Sequence, residues 1–288
     1  MSNRDRVTRI AIASGKGGTG KTTVATSLAL ALRHVEHVQY VDCDVEEPNG
    51  HILLRPSFEE AIPVGIPVPS IDESRCTYCG QCAESCVFHA IAVSQSTKAA
   101  LVFDKLCHGC GVCSYVCPEQ CIAEHTREIG VVQKGQANGI AFVQGVLNVG
   151  EALAPPLIRA VKKHIAQEGV VLVDASPGTS CPVVEAVRGN DFCILVTEPT
   201  PFGLNDLVLA VEMCRAIGIP VGAIVNRDGV GDKQVDAYCE AQEVPILMRI
   251  PFDRHVAEAY SVGEPLIEAL PEYADRLVRL YEDISRVV

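Results

Sequence analysis

The run Ser14-Gly15-Lys16-Gly17-Gly18-Thr19-Gly20-Lys21-Thr22-Thr23 sits between a short apolar stretch, residues 7–13, and a helical pattern over residues 24–33. A buried strand that passes through a glycine loop into a helix commits the chain to an α/β arrangement. The loop fits G-x-x-x-x-G-K-[ST] from Gly15 to Thr22. In that pattern glycines let backbone N–H groups turn inward around phosphates, Lys21 neutralises the terminal oxygens, and Thr22 can ligate Mg2+. Apolar strands that exit into polar loops recur at residues 38–41, 169–174, 194–197 and 221–225. With only 5% aromatic residues and no Trp, the core must be built from Val, Ile, Leu and Ala. The expected fold class is α/β, a doubly wound and mostly parallel sheet.

From Asn49 to about Gly139 this β/α rhythm breaks. Pro63, Pro67 and Pro69 read as a stiff linker before Ile71, with residues 128–130 and 145–151 as the return path. Between them, C-x2-C-x2-C-x3-C occurs twice: Cys76, Cys79, Cys82 and Cys86, then Cys107, Cys110, Cys113 and Cys117. The second run repeats the first at an offset of 31 residues, with Gly80 on Gly111 and Ile91 on Ile122. So many thiols at this spacing call for two 4Fe-4S clusters. Structural zinc is the competing reading of paired C-x2-C, but a third cysteine at x2 and a fourth at x3, done twice, argues against it. Cys121 falls opposite Ala90 in the repeat and reads as a packing residue. The expected domains are a nucleotide domain over 1–62 and 127–288 and a small inserted α+β domain over 63–126.

Carboxylates cluster where such sheets bind ligands, beyond the carboxyl ends of strands. Asp42 and Asp44 end one apolar strand, and Asp174 ends another, followed by Pro177-Gly178-Thr179. Asp174 has the position of an acid that holds Mg2+ through water. Gly178 can present its N–H near a terminal phosphate. A plain acidic turn at residues 42–44 stays open as the alternative. Cys181 begins a helix, where a thiol can be activated, although lone cysteines are more often small buried hydrophobes.

The stretch Lys16 to Thr22, K-G-G-x-G-K-T, resembles the deviant phosphate loop of the MinD/Mrp/ParA/nitrogenase-iron-protein class of ATPases. The cysteine insert resembles a bacterial two-cluster ferredoxin. The first resemblance implies a homodimer in which Lys16 reaches the partner's ATP, where a second ammonium would stabilise charge developing in phosphoryl transfer. It implies that Asp44 orients the attacking water, that Asp42 and Asp174 belong to the Mg2+ shell, and that Asn226 reads the adenine edge. Phe252 and Asp253 would close over the base. Asn226 and Asp253 could equally be a turn former and a helix N-cap. The ferredoxin resemblance implies crossed ligation. Cys76, Cys79, Cys82 and Cys117 would hold one cluster, and Cys107, Cys110, Cys113 and Cys86 the other.

A net charge of -12 opposes binding to phosphate backbones or anionic lipid, so neither nucleic acid nor a membrane is an expected partner. Residues 1–9 are polar and lack the apolar core of a signal peptide, so the fourteen cysteines are expected to stay reduced in a cytoplasm. Residues 271–288 carry apolar positions at helical spacing with offset charges, the pattern of a final helix packed on the core. The expected function is ATP hydrolysis coupled to electron transfer through two clusters, with a redox protein as partner. Two alternatives are delivery of clusters to an acceptor protein and a positioning ATPase of the MinD or ParA kind. Because the insert starts just after Asp44, a nucleotide-dependent shift there would pass directly into it.

Overall fold

The structure, a computed structural model, describes residues 7–288. Most of the polar segment weighed above against a signal peptide, residues 1–6, lies outside the described residues. In chain order, β1 (Thr8–Ser14), α1 (Lys21–Leu32), β2 (Val38–Asp42), α2 (Gly50–Leu54) and β3 (Ser57–Ile71) come first. They are followed by α3 (Gln81–Glu84), β4 (Ile91–Ser94), β5 (Ala99–Val102), α4 (Val112–Val116), β6 (Ile122–Ala137), β7 (Ile140–Leu147) and α5 (Ala154–Lys162). Next are β8 (Val170–Pro177), α6 (Cys181–Val187), β9 (Phe192–Thr197), α7 (Pro201–Ala216) and β10 (Val221–Asp228). The chain ends in α8 (Gln234–Ala241), β11 (Ile246–Pro251), α9 (Arg254–Ser261), α10 (Leu266–Ala269) and α11 (Tyr273–Ser285).

These elements form two compact units: the chain up to Ile62 with Val132–Val146 and Ile158–Val288, and Pro63–Val131 with Leu147–Leu157. The expected boundary at residue 126 falls inside β6, and the second unit also takes back a later stretch of chain.

The first unit is built on a sheet of order β11-β10-β9-β1-β8-β2-β7-β6-β3, with β3 at the edge. Parallel pairings run without a break from β11 to β7. Strand β1 lies between β8 and β9, and Asp42 is in register with Asp174 across β2 and β8. The phosphate-type loop and the acids therefore leave the sheet at one end, side by side. Helix α1, KTTVATSLALAL, is buried on nearly every side and is the central helix over that sheet. Helix α11 buries Tyr273, Leu277, Leu280 and Ile284, one stripe at helical spacing, in the same core as Leu28 and Leu32 of α1. The expectation of a packed final helix is met.

One expectation fails here. Pro63, Pro67 and Pro69 do not form a linker; they lie within strand β3. All three have odd numbers in one strand, so their missing N–H groups fall on one side, which an edge strand can leave open. Residues 128–130 and 145–147 likewise belong to β6 and β7. The turn between those strands is Asn138-Gly139, both at positive φ (52° and 82°), the geometry of a two-residue hairpin.

In the second unit the 31-residue repeat extends to the backbone. Helices α3 and α4 start at Gln81 and Val112, each behind a left-handed glycine, Gly80 at φ 86° and Gly111 at φ 73°. Tyr78 and Gly109 (56° and 66°) and His89 and Gln120 (51° and 48°) repeat the same positive φ. Tyr78, His89 and Gln120 adopt it despite their side chains, so the turn geometry is imposed by the surroundings of the cysteines. Among the described residues, no helix is long and apolar enough to cross a membrane.

Candidate functional site

The loop after β1 closes a cavity of about 390 Å³ in the first unit. Lys16, Gly17, Gly18, Thr19, Gly20, Lys21, Thr22 and Thr23 all line it, as do Asp44, Glu47, Asn49, Asn226, Phe252 and Asp253. Gly18 (φ 77°) and Gly20 (φ 91°) supply the left-handed turns of the loop. The Thr19 hydroxyl is buried without a hydrogen-bond partner, a donor that an anion in the loop would satisfy. Gly15 does not line the cavity. Its bare Cα lets α7 approach, since a Cβ there would lie 2.3 Å from the Asp206 carbonyl oxygen.

Behind the loop is a buried charge network. Lys21 Nζ donates to Asp174 Oδ1 at 2.6 Å, and the Tyr40 hydroxyl donates to Asp174 Oδ2 at 2.7 Å. Burial opposes the Lys21 charge, but Asp174 and then Asp44 and Asp42 hold its pKa above the ordinary value. Three carboxylates share this one ammonium. Burial, then Asp174, pushes Asp42 up to about 8; burial pushes Asp44 up to about 6, with Asp174 adding to the rise. Burial is the main reason these acids hold their protons, and a divalent cation bound beside them would favour their ionised forms.

Asp44 faces the cavity, whereas Asp42 and Asp174 lie behind its wall. Asp42 accepts N–H groups of Asp44 (3.1 Å) and Gly50 (3.0 Å), so it shapes the loop that presents Asp44. Gly178 corrects the sequence reading: its N–H donates to the Ser14 carbonyl at 2.8 Å and is not free for a phosphate. Asn226 donates one amide hydrogen to the Thr19 carbonyl at 2.7 Å, which braces the loop and leaves the other hydrogen unused. Asp253 caps α9 through the His255 N–H, at the rim of the same cavity. Lys16 is bound within its own chain to Glu198, at 3.2 Å. Arg227 reaches the same carboxylate at 2.7 Å.

Tyr40, Glu198 and Arg227 went unassigned in the sequence. Tyr40 was legible as sharing a strand face with Asp42, two residues on, but nothing in the chain order brings Glu198 to Lys16. Cys181 is exposed at the start of α6, and no contact gives it a role.

The second unit holds two further cavities. One is lined by Cys76, Cys79, Cys82 and Cys117, together with Cys121. The other is lined by Cys86, Cys107, Cys110 and Cys113, together with Phe88 and His108, whose rings stack 3.6 Å apart. The fourth cysteine of each run thus lies with the first three of the other. Backbone N–H groups point at the sulfurs: Tyr78 at Cys76 (3.4 Å), Gly109 at Cys107 (3.4 Å) and Ala90 at Cys86 (3.3 Å). Cys79 and Cys110 are exposed. Among the described residues, no three His, Cys, Asp or Glu side chains are placed to hold a single metal ion. Cys121 is buried, not merely packed: its sulfur lies 3.5 Å from that of Cys117. Burial and its neighbours Cys117 and Cys76 push its thiol up to about 12.

An uncharacterized protein of Methanocaldococcus jannaschii is 28% identical over 265 residues, covering 90% of this chain and 91% of that protein. An iron-sulfur cluster carrier protein of Pyrococcus horikoshii is 24% identical over 306 residues, covering 96% and 88%. Among solved structures, the septum site-determining protein MinD of Pyrococcus horikoshii, complexed with Mg-ADP, superposes with a TM-score of 0.59 at 21% identity. The superposition covers 98% of this chain and 97% of that one. A family model described as the CobQ/CobB/MinD/ParA nucleotide binding domain matches residues 10–266, and with the loop, sheet order and acids above it places the chain in that family of α/β nucleotide-binding proteins.

Proposed function

We propose that this protein binds and hydrolyses ATP with Mg2+ and couples its nucleotide state to electron transfer through two 4Fe-4S clusters. The observation that carries the reading is the sorting of eight cysteines into two cavities of four, each completed by the last thiol of the other run. The donor set fits the group. Thiolates suit iron-sulfur clusters, and N–H groups aimed at the sulfurs are what tune their potentials. A tetrahedral zinc would draw four sulfurs to about 2.3 Å from one point, an arrangement these side chains do not have. Bound there, the clusters would supply one-electron storage, with exposed Cys79 and Cys110 nearest to solvent and a partner.

At the nucleotide cavity, the loop N–H groups and Thr19 would hold phosphates. Lys21 would exchange Asp174 for phosphate oxygens, freeing Asp174 to hold Mg2+ with Thr22. Asp44, ionised above about pH 6 and facing the cavity, suits the orientation of an attacking water. Phe252 and Asp253, with the unused Asn226 hydrogen, would meet the base. Lys16 would leave Glu198 for the nucleotide of a second subunit, which makes the working form a homodimer.

Cluster delivery to an acceptor protein is the second reading, and the name of the Pyrococcus horikoshii relative favours it. Anaerobic purification tests the first reading: about eight irons and eight sulfides per chain, reducible and nucleotide-responsive, are expected. Protein free of iron, or cluster potentials identical in nucleotide-free, ADP and ATP-analogue forms, would overturn it. Transfer of iron to an apo-acceptor would favour delivery.

A further inference from the structure

The repeat matches the four run thiols of one cysteine cavity to the four of the other, with one thiol left over. The first contains a fifth thiol, Cys121, where the second has Ala90. Cys121 is 4% exposed, its sulfur lies 3.5 Å from that of Cys117, and it lines the same cavity as Cys76, so it sits against the last thiol of its set. Its backbone is fixed, because its carbonyl accepts the Asp72 N–H at 2.8 Å. Side-chain rotation is therefore the movement left to it. The equivalent backbone N–H in the second cavity, that of Ala90, reaches the Cys86 sulfur with no thiol beside it.

We infer that Cys121 is a reserve ligand for the first cluster, able to take the iron that Cys117 holds. This rests on the cluster reading above. Either thiol would hold that iron as its thiolate, and the proton would stay with whichever of Cys117 and Cys121 is not bound. No electron is gained or lost. A cavity with an interchangeable ligand can loosen one corner of its cluster without emptying the site, whereas the Cys86 corner has no such substitute.

The test is iron and sulfide content after anaerobic purification of four variants beside the wild type. Cys117→Ala should keep about eight irons per chain, while Cys86→Ala should fall to about four. Cys121→Ala should keep about eight, and Cys117→Ala/Cys121→Ala should fall to about four. Equal loss in Cys117→Ala and Cys86→Ala overturns the inference, as does a double variant that keeps its iron. An insoluble Cys117→Ala beside a soluble Cys86→Ala overturns it too, since a chain with a restored ligand set should be no less stable than one lacking a cluster. Wild-type protein without iron would instead remove the cluster reading itself.

Discussion

The acids behind the loop make the nucleotide-free protein sensitive to pH. Asp42 and Asp44 ionise near 3.8 when unperturbed, but in the fold their pKa values rise to about 8 and about 6. Between these limits the native state holds protons that the unfolded chain has already released, so stability falls as pH rises through the window. Denaturant midpoints should show this decline from about pH 4 to about pH 8, and Asp42→Asn should remove its upper part, from about 6 to about 8. An unchanged slope in the variant would refute the assignment. The efficiency kcat/KM, which reports the free enzyme, should move the other way, rising as Asp44 loses its proton near pH 6, and its pH profile checks it. For Lys16→Ala, loss of a cation that acts as an arginine finger does should lower turnover by roughly 10³-fold. Nucleotide binding by the single subunit should barely change, which isothermal titration can separate from catalysis.

Single elements show what the chain could and could not reveal. The loop, the Cys runs and the stripe of α11 were readable because each is local: spacing within a turn or a helix determines which groups share a face. Leu277→Ala, in that stripe and fully buried, should cost about 2–5 kcal/mol of stability, measured by denaturant unfolding. Strand β3 was not readable, because prolines signal a break unless the strand lies at an edge, and edge position is a property of the whole sheet. Gly178 was misread for a related reason. The motif placed it beside the phosphate, but its N–H is taken by Ser14 of β1, a neighbour set by strand order. Gly20→Ala should be poorly tolerated: the position is left-handed, and a Cβ would lie 2.3 Å from the Asn226 amide nitrogen. Weaker nucleotide retention is the expected result, measured by isothermal titration.

At the scale of the molecule, the sheet gathers the loop, Asp174 and Asp44 at the carboxyl ends of neighbouring strands, which is why one short motif forecast so much of the first unit. The second unit is a different matter, since it is assembled from two separate lengths of chain, Pro63–Val131 and Leu147–Leu157. Its later length is firmly tied in. Glu151 pairs with Arg127, the Asn148 N–H donates to the Ile129 carbonyl at 2.9 Å, and Leu157 is fully buried. A ribosome that has released all eight cysteines of the two runs has therefore not yet delivered the piece that completes their unit. Cofactor insertion into a nascent chain would meet an unfinished receptacle until the forty residues from Cys117 to Leu157 have emerged.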